Sequence, residues 1–459
     1  MPNLAEPIDL SPAQWIWFPS QRTLANSMVL FRREVNVASP VKRATGHITA
    51  DSRYRLTLNG QRVQWGPPPC DPRWMDADPV DLTTLLKTGP NVIGAQVLYY
   101  GSGDGTWATG KPGFLFRLDL EYANGRTERI VSDPGWQCCL DRAYRPGQYR
   151  RWYLRAFQEE FDARRHPHGW DTPGFTASAE WLPAMAIPGS PSKPTLCLGY
   201  SEYSSDSHAS NPANTTLLKR QIPLLRETLV PAKQLQESGR VEWLRDPLDW
   251  FEFRTPNAFR IIRQPVAEPG PGPRWPIRVE PQSSQGIYLT FEFPEQIVGW
   301  PYFTIDTPEG TIVEVMTQEA HDPAQTAWLD SQHYSWARFI CRKRLNRFEH
   351  FDFESLRWLQ LHIRNTNGSV VVSEVGVRRR IYDWPHPAAI KVSEPKLQRL
   401  FDASVNTLHN CAQETCVDGM GRERQQYSGD GSHQLHAIWR TFGETRLPAR
   451  FLRTFSQGS

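Results

Sequence analysis

The sequence predicts a mainly β chain with a helical C-terminal end. Two or more antiparallel β-sandwich domains come first, followed by helices that open a further domain. Three observations support this. Apolar residues alternate with polar ones in short runs as far as residue 382. Asn-Gly pairs and Pro/Gly clusters punctuate those runs. After Trp384-Pro385 the apolar period changes from two to about 3.6.

The elements follow in order. Tyr54, Leu56 and Leu58 alternate and are followed by Asn59-Gly60, a hairpin turn. Val92, Ile93, Ala95, Val97 and Tyr99 form another strand, and Phe114, Phe116, Leu118, Leu120 and Tyr122 alternate up to Asn124-Gly125. Residues 1–180 therefore read as a first β-sandwich. Residues 181–275 read as linker and strand additions, bounded by Pro188-Gly189-Ser190-Pro191 and Pro269-Gly270-Pro271-Gly272-Pro273. Residues 276–385 read as a second sandwich. Ile287, Leu289, Phe291 and Phe293 alternate, Gly299-Trp300 and Pro308-Glu309-Gly310 are expected to turn the chain, and Ile312 to Met316 is apolar except for Glu314. Residues 386–459 read as the start of a helical domain. Leu397, Leu400, Phe401, Ser404, Leu408 and Cys411 share a helix face, with Ser393 as expected N-cap. Leu435, Ile438, Trp439 and Phe442 follow at helical spacing, with Asp430 or Ser428 as cap and Gly443 as stop. Leu447, Phe451, Leu452 and Phe455 begin a third helix.

Composition narrows the function. The chain has 459 residues, 22% charged and 39% hydrophobic, with a net charge of +3. That balance argues against nucleic acid as partner. Arg142, Arg145, Arg150, Arg151 and Arg155 lie among tyrosines and a tryptophan, but Glu159, Glu160 and Asp162 follow and offset them. No apolar run is long enough for a membrane span, and no secretory signal is expected at the N-terminus. Seven cysteines without CxxC spacing suggest reduced thiols, a cytoplasmic location and no zinc site; no cofactor or metal is predicted. Trp 18, Tyr 14 and Phe 21 suit sugar stacking and equally suit sandwich cores.

The chemistry concentrates in Asp418-Gly419-Met420-Gly421-Arg422-Glu423-Arg424-Gln425-Gln426-Tyr427-Ser428-Gly429-Asp430. Three carboxylates, two guanidiniums and an aromatic ring fall between two helical segments. A glycosidase needs one carboxyl group that stays protonated and a second that activates water or attacks. If Asp418 or Asp430 approaches Glu423, like-charge repulsion raises one pKa. Arg422 and Arg424 act in the opposite sense, so at least one arginine must point elsewhere. Gly419, Gly421 and Gly429 permit a backbone that presents side chains from several sides. Each residue also has a plainer reading: an ion-pair cluster for Arg-Glu-Arg, core packing for Tyr427, a helix cap for Asp430.

The order Asp…Arg-Glu-Arg…aromatic…Gly-Asp resembles the acid loop of bacterial α-L-rhamnosidases, inverting glycoside hydrolases of family 78 type. Gln14-Trp15-Ile16-Trp17, Thr49-Ala50-Asp51-Ser52-Arg53-Tyr54, Phe157 to Arg164, Phe293 to Trp300 and Phe353 to Leu361 resemble that family's sandwiches in the same order. The resemblance implies a galactose-binding-like first sandwich, a concanavalin-like second one and the first helices of an incomplete (α/α)6 barrel. It assigns Glu423 as general acid and Asp418, Arg422, Tyr427 and Asp430 to the sugar, with rhamnose-containing glycosides as substrates. Gly419-Met420 and Tyr427 stand where the family has Cys-Pro and Trp.

In that family the base is a glutamate on a later barrel segment, and Glu444 is not expected to serve. The chain is therefore expected to be a fragment that carries the acid without the base, inactive alone and prone to aggregate through its helices. Three other readings compete. One is a non-catalytic carbohydrate-binding sandwich protein using Trp300, Trp328 and Trp336. The others are a scaffold without sugar affinity and an (α/α)6 glycosidase acting on another sugar. Oligomeric state is open.

Overall fold

The structure is a computed structural model. It describes residues 6–20, 22–101, 110–145, 159–187, 189–190, 193–194, 215–244, 259–280, 285–322, 336–421 and 423–457. These form two compact, discontinuous units. The first comprises Met1–Gln148, His166–Pro223 and Ala449–Ser459, and the second Tyr149–Arg165 and Leu224–Pro448.

The first unit holds a seven-stranded and a six-stranded sheet. Their shared core contains Phe31, Tyr54, Leu56, Ile93, Val97, Phe114, Phe116, Leu118 and Trp136. The alternation in Arg53–Leu58, Gly89–Tyr99 and Gly113–Tyr122 points one face of each strand into this core. Asn59 and Gly60 both have positive φ, 51° and 80°, as the hairpin turn requires. Leu115, on the opposite face of its strand, fills a second cluster with Trp15 and Leu217. The strand Thr216–Lys219 lies parallel to Trp74–Asp81.

A buried charge network fastens the chain's last residues to this unit. Asp76 accepts from Arg450 Nε and Nη2 at 3.1 and 3.0 Å and from Arg453 Nη2 at 3.2 Å. Asp76 and Arg450 are both 0% exposed. Two residues along, Asp78 accepts from Arg220 at 2.9 Å and from the Tyr54 hydroxyl at 2.5 Å.

The second unit is built on one strand, Gly286–Thr307. Its first half pairs with Gln234–Trp243 and Glu354–Arg364, its second half with Val370–Ile381 and Arg344–Glu349. Gly299 and Trp300 lie inside this strand and do not turn the chain. The glycine is needed there because a Cβ would stand 2.1 Å from the Arg378 carbonyl oxygen. The expected turn at Gly310 is present, with φ 81°. A register shift between Glu292 and Ile297 sets Glu295 and Gln296 out of the ladder. The connector strand Glu160–Asp162 pairs in parallel with Trp336–Ile340.

Three helices follow: α1 (Pro395–Cys411), α2 (Ser428–Phe442) and α3 (Arg446–Gln457). The N-cap of α1 is Glu394, not Ser393, because the longer carboxylate reaches the Leu397 N–H at 2.7 Å. Neither Ser428 nor Asp430 caps α2; the cap position is Tyr427, and Asp430 lies in the first turn, where its charge favours the helix dipole. Gly443 ends α2 at φ 65°, as expected. Leu397 and Leu400 on α1 and Trp439 on α2 are at least half exposed, whereas Ile438 and Phe442 are buried. No described helix is long and apolar enough to cross a membrane.

Candidate active site

The acid loop joins α1 to α2 and lies on the second sandwich. Asn406 and Asn410 of α1 both donate to the Gln296 carbonyl at 3.0 Å, so the helix rests on the register shift. The Gln296 side chain donates to Glu319 Oε1 at 2.6 Å and to the Ser355 hydroxyl at 3.0 Å, and Ser355 also donates to Glu319 at 2.6 Å. Glu319 thus stands fixed beneath the loop. A Cβ on Gly421 would lie 2.5 Å from Glu319 Oε1. Gly421 is the loop glycine that close approach demands; Gly419 and Gly429 face open space.

Backbone bonds close the loop on itself. The Asp418 N–H donates to the Gln425 carbonyl at 3.2 Å, and the Gln425 N–H donates to Asp418 Oδ1 at 2.9 Å. This brings Asp418 and Glu423 together, and their carboxyl groups share a hydrogen bond. The Asp418 pKa is raised, first by burial, then by the bond to Glu423 and its charge, against backbone N–H donors that lower it. Burial and the neighbouring Glu423 carboxyl thus both favour the protonated form of Asp418. Nearby, burial pushes the Cys411 thiol up to about 11, with Glu319 and Asp418 adding to it.

Arg424 is the arginine that points elsewhere. It is 5% exposed, donates through Nε to the Met420 carbonyl at 2.7 Å and pairs with Glu354 at 3.3 Å. Its guanidinium lies 4.4 Å from the Phe353 ring centroid. Its φ of 55°, unusual for a side-chain-bearing residue, allows this inward turn. Arg422 lies outside the described residues. Tyr427 is half-buried and Asp430 exposed. Glu444 is buried; burial would raise its pKa, but Arg446, at 2.8 Å, and Tyr382 hold it below the ordinary value.

Two of the three tryptophans considered for glycan binding are core residues. Trp300 is 1% exposed and donates to the Phe351 carbonyl, and Trp336 is 3% exposed and donates to Glu314. Trp328 lies outside the described residues, as do Arg150, Arg151 and Arg155 of the basic run. Arg142 pairs with Glu180 at 3.3 Å. The expectation of reduced thiols concerns, among the described residues, Cys138, Cys139, Cys341, Cys411 and Cys416, which are free thiols. No cluster of three or more potential metal ligands occurs among the described residues.

Glu354, Phe353, Glu319 and Gln296 were not foreseen as site residues. For Phe353 and Glu354 the sequence signal is polarity in an apolar strand, Asp352-Phe353-Glu354-Ser355, which does not say what it faces.

Comparison with known proteins agrees with the family resemblance. Residues 39–197 match the model of the alpha-L-rhamnosidase N-terminal domain. The chain is rhamnosidase-like. An alpha-L-rhamnosidase of Streptomyces avermitilis is 31% identical over 154 residues, 31% of this chain and 14% of that protein. The rhamnosidase-like fold extends further than the sequence match. It superposes on a GH78 family rhamnosidase of Bacillus sp. GL1 with TM-score 0.78 at 18% identity, covering 97% of this chain and 63% of the other. On the Streptomyces avermitilis alpha-L-rhamnosidase complexed with L-rhamnose, the TM-score is 0.65 at 20% identity, covering 94% of this chain and 36% of the other. The chain thus spans less than two thirds of the length of these relatives.

Proposed function

We propose that this chain is the sandwich and acid-loop portion of an inverting α-L-rhamnosidase, with Glu423 as general acid. The observation that carries the reading is the hydrogen-bonded carboxyl pair Asp418–Glu423, closed by the Gln425 N–H on Asp418 and held against a sandwich. A protonated carboxyl is what a departing glycosidic oxygen requires. In this reading Asp418, Arg422, Tyr427 and Asp430 bind rhamnose, and the substrates are rhamnose-terminated glycosides. The free cysteines support a reducing compartment, and we place the protein in the cytoplasm.

The base is not among the groups next to Glu423. An inverting pair needs about 6.5–9.5 Å between its carboxyl groups so that a water fits. Asp418 is hydrogen-bonded to Glu423, too close for that water, and Glu444 is committed to Arg446. In this reading the described residues supply the acid and not the base, and the chain alone turns over no rhamnoside.

The test is twofold. L-rhamnose should bind the purified chain in calorimetry while glucose and galactose do not, and Glu423→Gln should spare that binding. An aryl α-L-rhamnoside should not be hydrolysed. Absence of rhamnose binding overturns the substrate assignment; turnover overturns the statement about the base.

A further inference from the structure

The acid loop contains an electrostatic conflict. Arg424 is adjacent in sequence to Glu423, and a guanidinium beside the Asp418–Glu423 pair would favour ionisation of both carboxyls. The structure resolves this with a residue from outside the loop. Glu354 begins the strand Glu354–Arg364 and is 4% exposed. Its carboxylate takes Arg424 Nη2 at 3.3 Å. The neighbouring Phe353 ring supports the same guanidinium at 4.4 Å, and Arg424 Nε holds the Met420 carbonyl at 2.7 Å.

We propose that Glu354 is a positioning residue for Glu423, holding the Arg424 guanidinium against the sandwich and away from the hydrogen-bonded Asp418–Glu423 pair. The proposal rests on the acid reading of Glu423. Without the Glu354 carboxylate, the nearest anionic partners along the loop are Glu423 and Asp418. The guanidinium then bonds to one of them and breaks the pair. Among the described residues, Glu319, tied to Gln296 and Ser355, and the Cys411 thiol also lie near the pair, and neither supplies a positive charge.

The experiment is a ¹³C carboxyl titration of the full chain, with Asp418 assigned by loss of its signal in Asp418→Asn. In the native chain the Asp418 titration should lie above the ordinary aspartate range. In Glu354→Gln it should fall by about one pH unit or more. The double variant Glu354→Gln/Arg424→Gln removes both charges and should restore the raised titration. A merely structural role for Glu354 would leave both variants alike. A folded Glu354→Gln chain with the native titration overturns the proposal, as does a double variant titrating like the single one. If Glu354→Gln does not fold, Glu354→Ala replaces it and is compared with Glu354→Ala/Arg424→Gln, and the same restoration decides. The readout needs no rhamnose, so failure to bind sugar would overturn the function reading and leave this one to be judged separately.

Discussion

The guanidiniums of Arg380 and Arg424 lie 4.2 and 4.4 Å from the centroid of one ring, that of Phe353. Two cations at one aromatic ring repel each other unless each has its own anion. Each does: Glu414 holds Arg380 at 2.9 Å and Glu354 holds Arg424 at 3.3 Å. All four charged groups are at most 5% exposed. Glu414 belongs to the segment between α1 and the acid loop, so the same ring that seats the loop also seats the chain leading into it.

Arg380→Met should therefore destabilise the second unit by about 3–5 kcal/mol, because it strands the buried Glu414 carboxylate. Arg380→Met/Glu414→Leu should recover most of that loss. Urea unfolding followed by tryptophan fluorescence measures both, and a double variant as unstable as the single one refutes the pairing.

Gly421→Ala forces its Cβ to within 2.5 Å of a Glu319 carboxylate already tied by two donors. The expected cost is about 1–3 kcal/mol. Rhamnose affinity should fall with it, and Gly419→Ala, which meets nothing within 4 Å, should leave both quantities near their native values.

Glu314 is fully buried and bonds to Trp336, Arg338 and Arg364. Glu314→Gln keeps the shape and removes the charge that two guanidiniums face. A loss of roughly 3–5 kcal/mol should appear in the second unit's denaturation midpoint. An unchanged midpoint would refute a stabilising role for the Glu314 charge.

Burial lowers the His409 pKa from 6.5 to about 4, with Arg379 adding to the shift. Its Nδ1 accepts from the Trp384 indole at 2.9 Å, a bond that needs the neutral ring. The unfolded chain then binds more protons than the native one between those values. Stability from this group is fully present above pH 6.5 and is lost as pH falls towards 4. His409→Gln should flatten the fall in melting temperature across that window; an equally steep fall would assign it elsewhere.

Where a fold feature depends on neighbours along the chain, the sequence shows it. Asn59-Gly60 needs positive φ at two adjacent positions, and Gly443 needs one at a helix end; residue type alone announces both. The strands of the two units show through their alternation because each buries one face. The pairing of Glu354 with Arg424 leaves no such trace, since it joins residues 70 apart and no periodicity encodes it. The same holds for Glu160–Asp162, a three-residue strand whose partner begins at Trp336. In the candidate site the sequence showed the carboxylates and the need for one arginine to turn away, but not which arginine or what receives it. Leu397 and Leu400 illustrate the opposite limit: the helical period correctly marks an apolar face, yet both are exposed.

Asp76 also has a consequence for synthesis. Its guanidinium partner Arg450 follows 374 residues later, an interval of about 20–75 s at roughly 5–20 residues per second of translation. Until then the carboxylate must stay hydrated, because no charge is available to accompany it inside. The first sandwich to leave the ribosome thus waits for a residue made long after its own strands. Its strand Trp74–Asp81 can pair with Thr216–Lys219 early, but a nascent chain halted before Arg450 would leave the Asp76 carboxylate without its guanidinium partners.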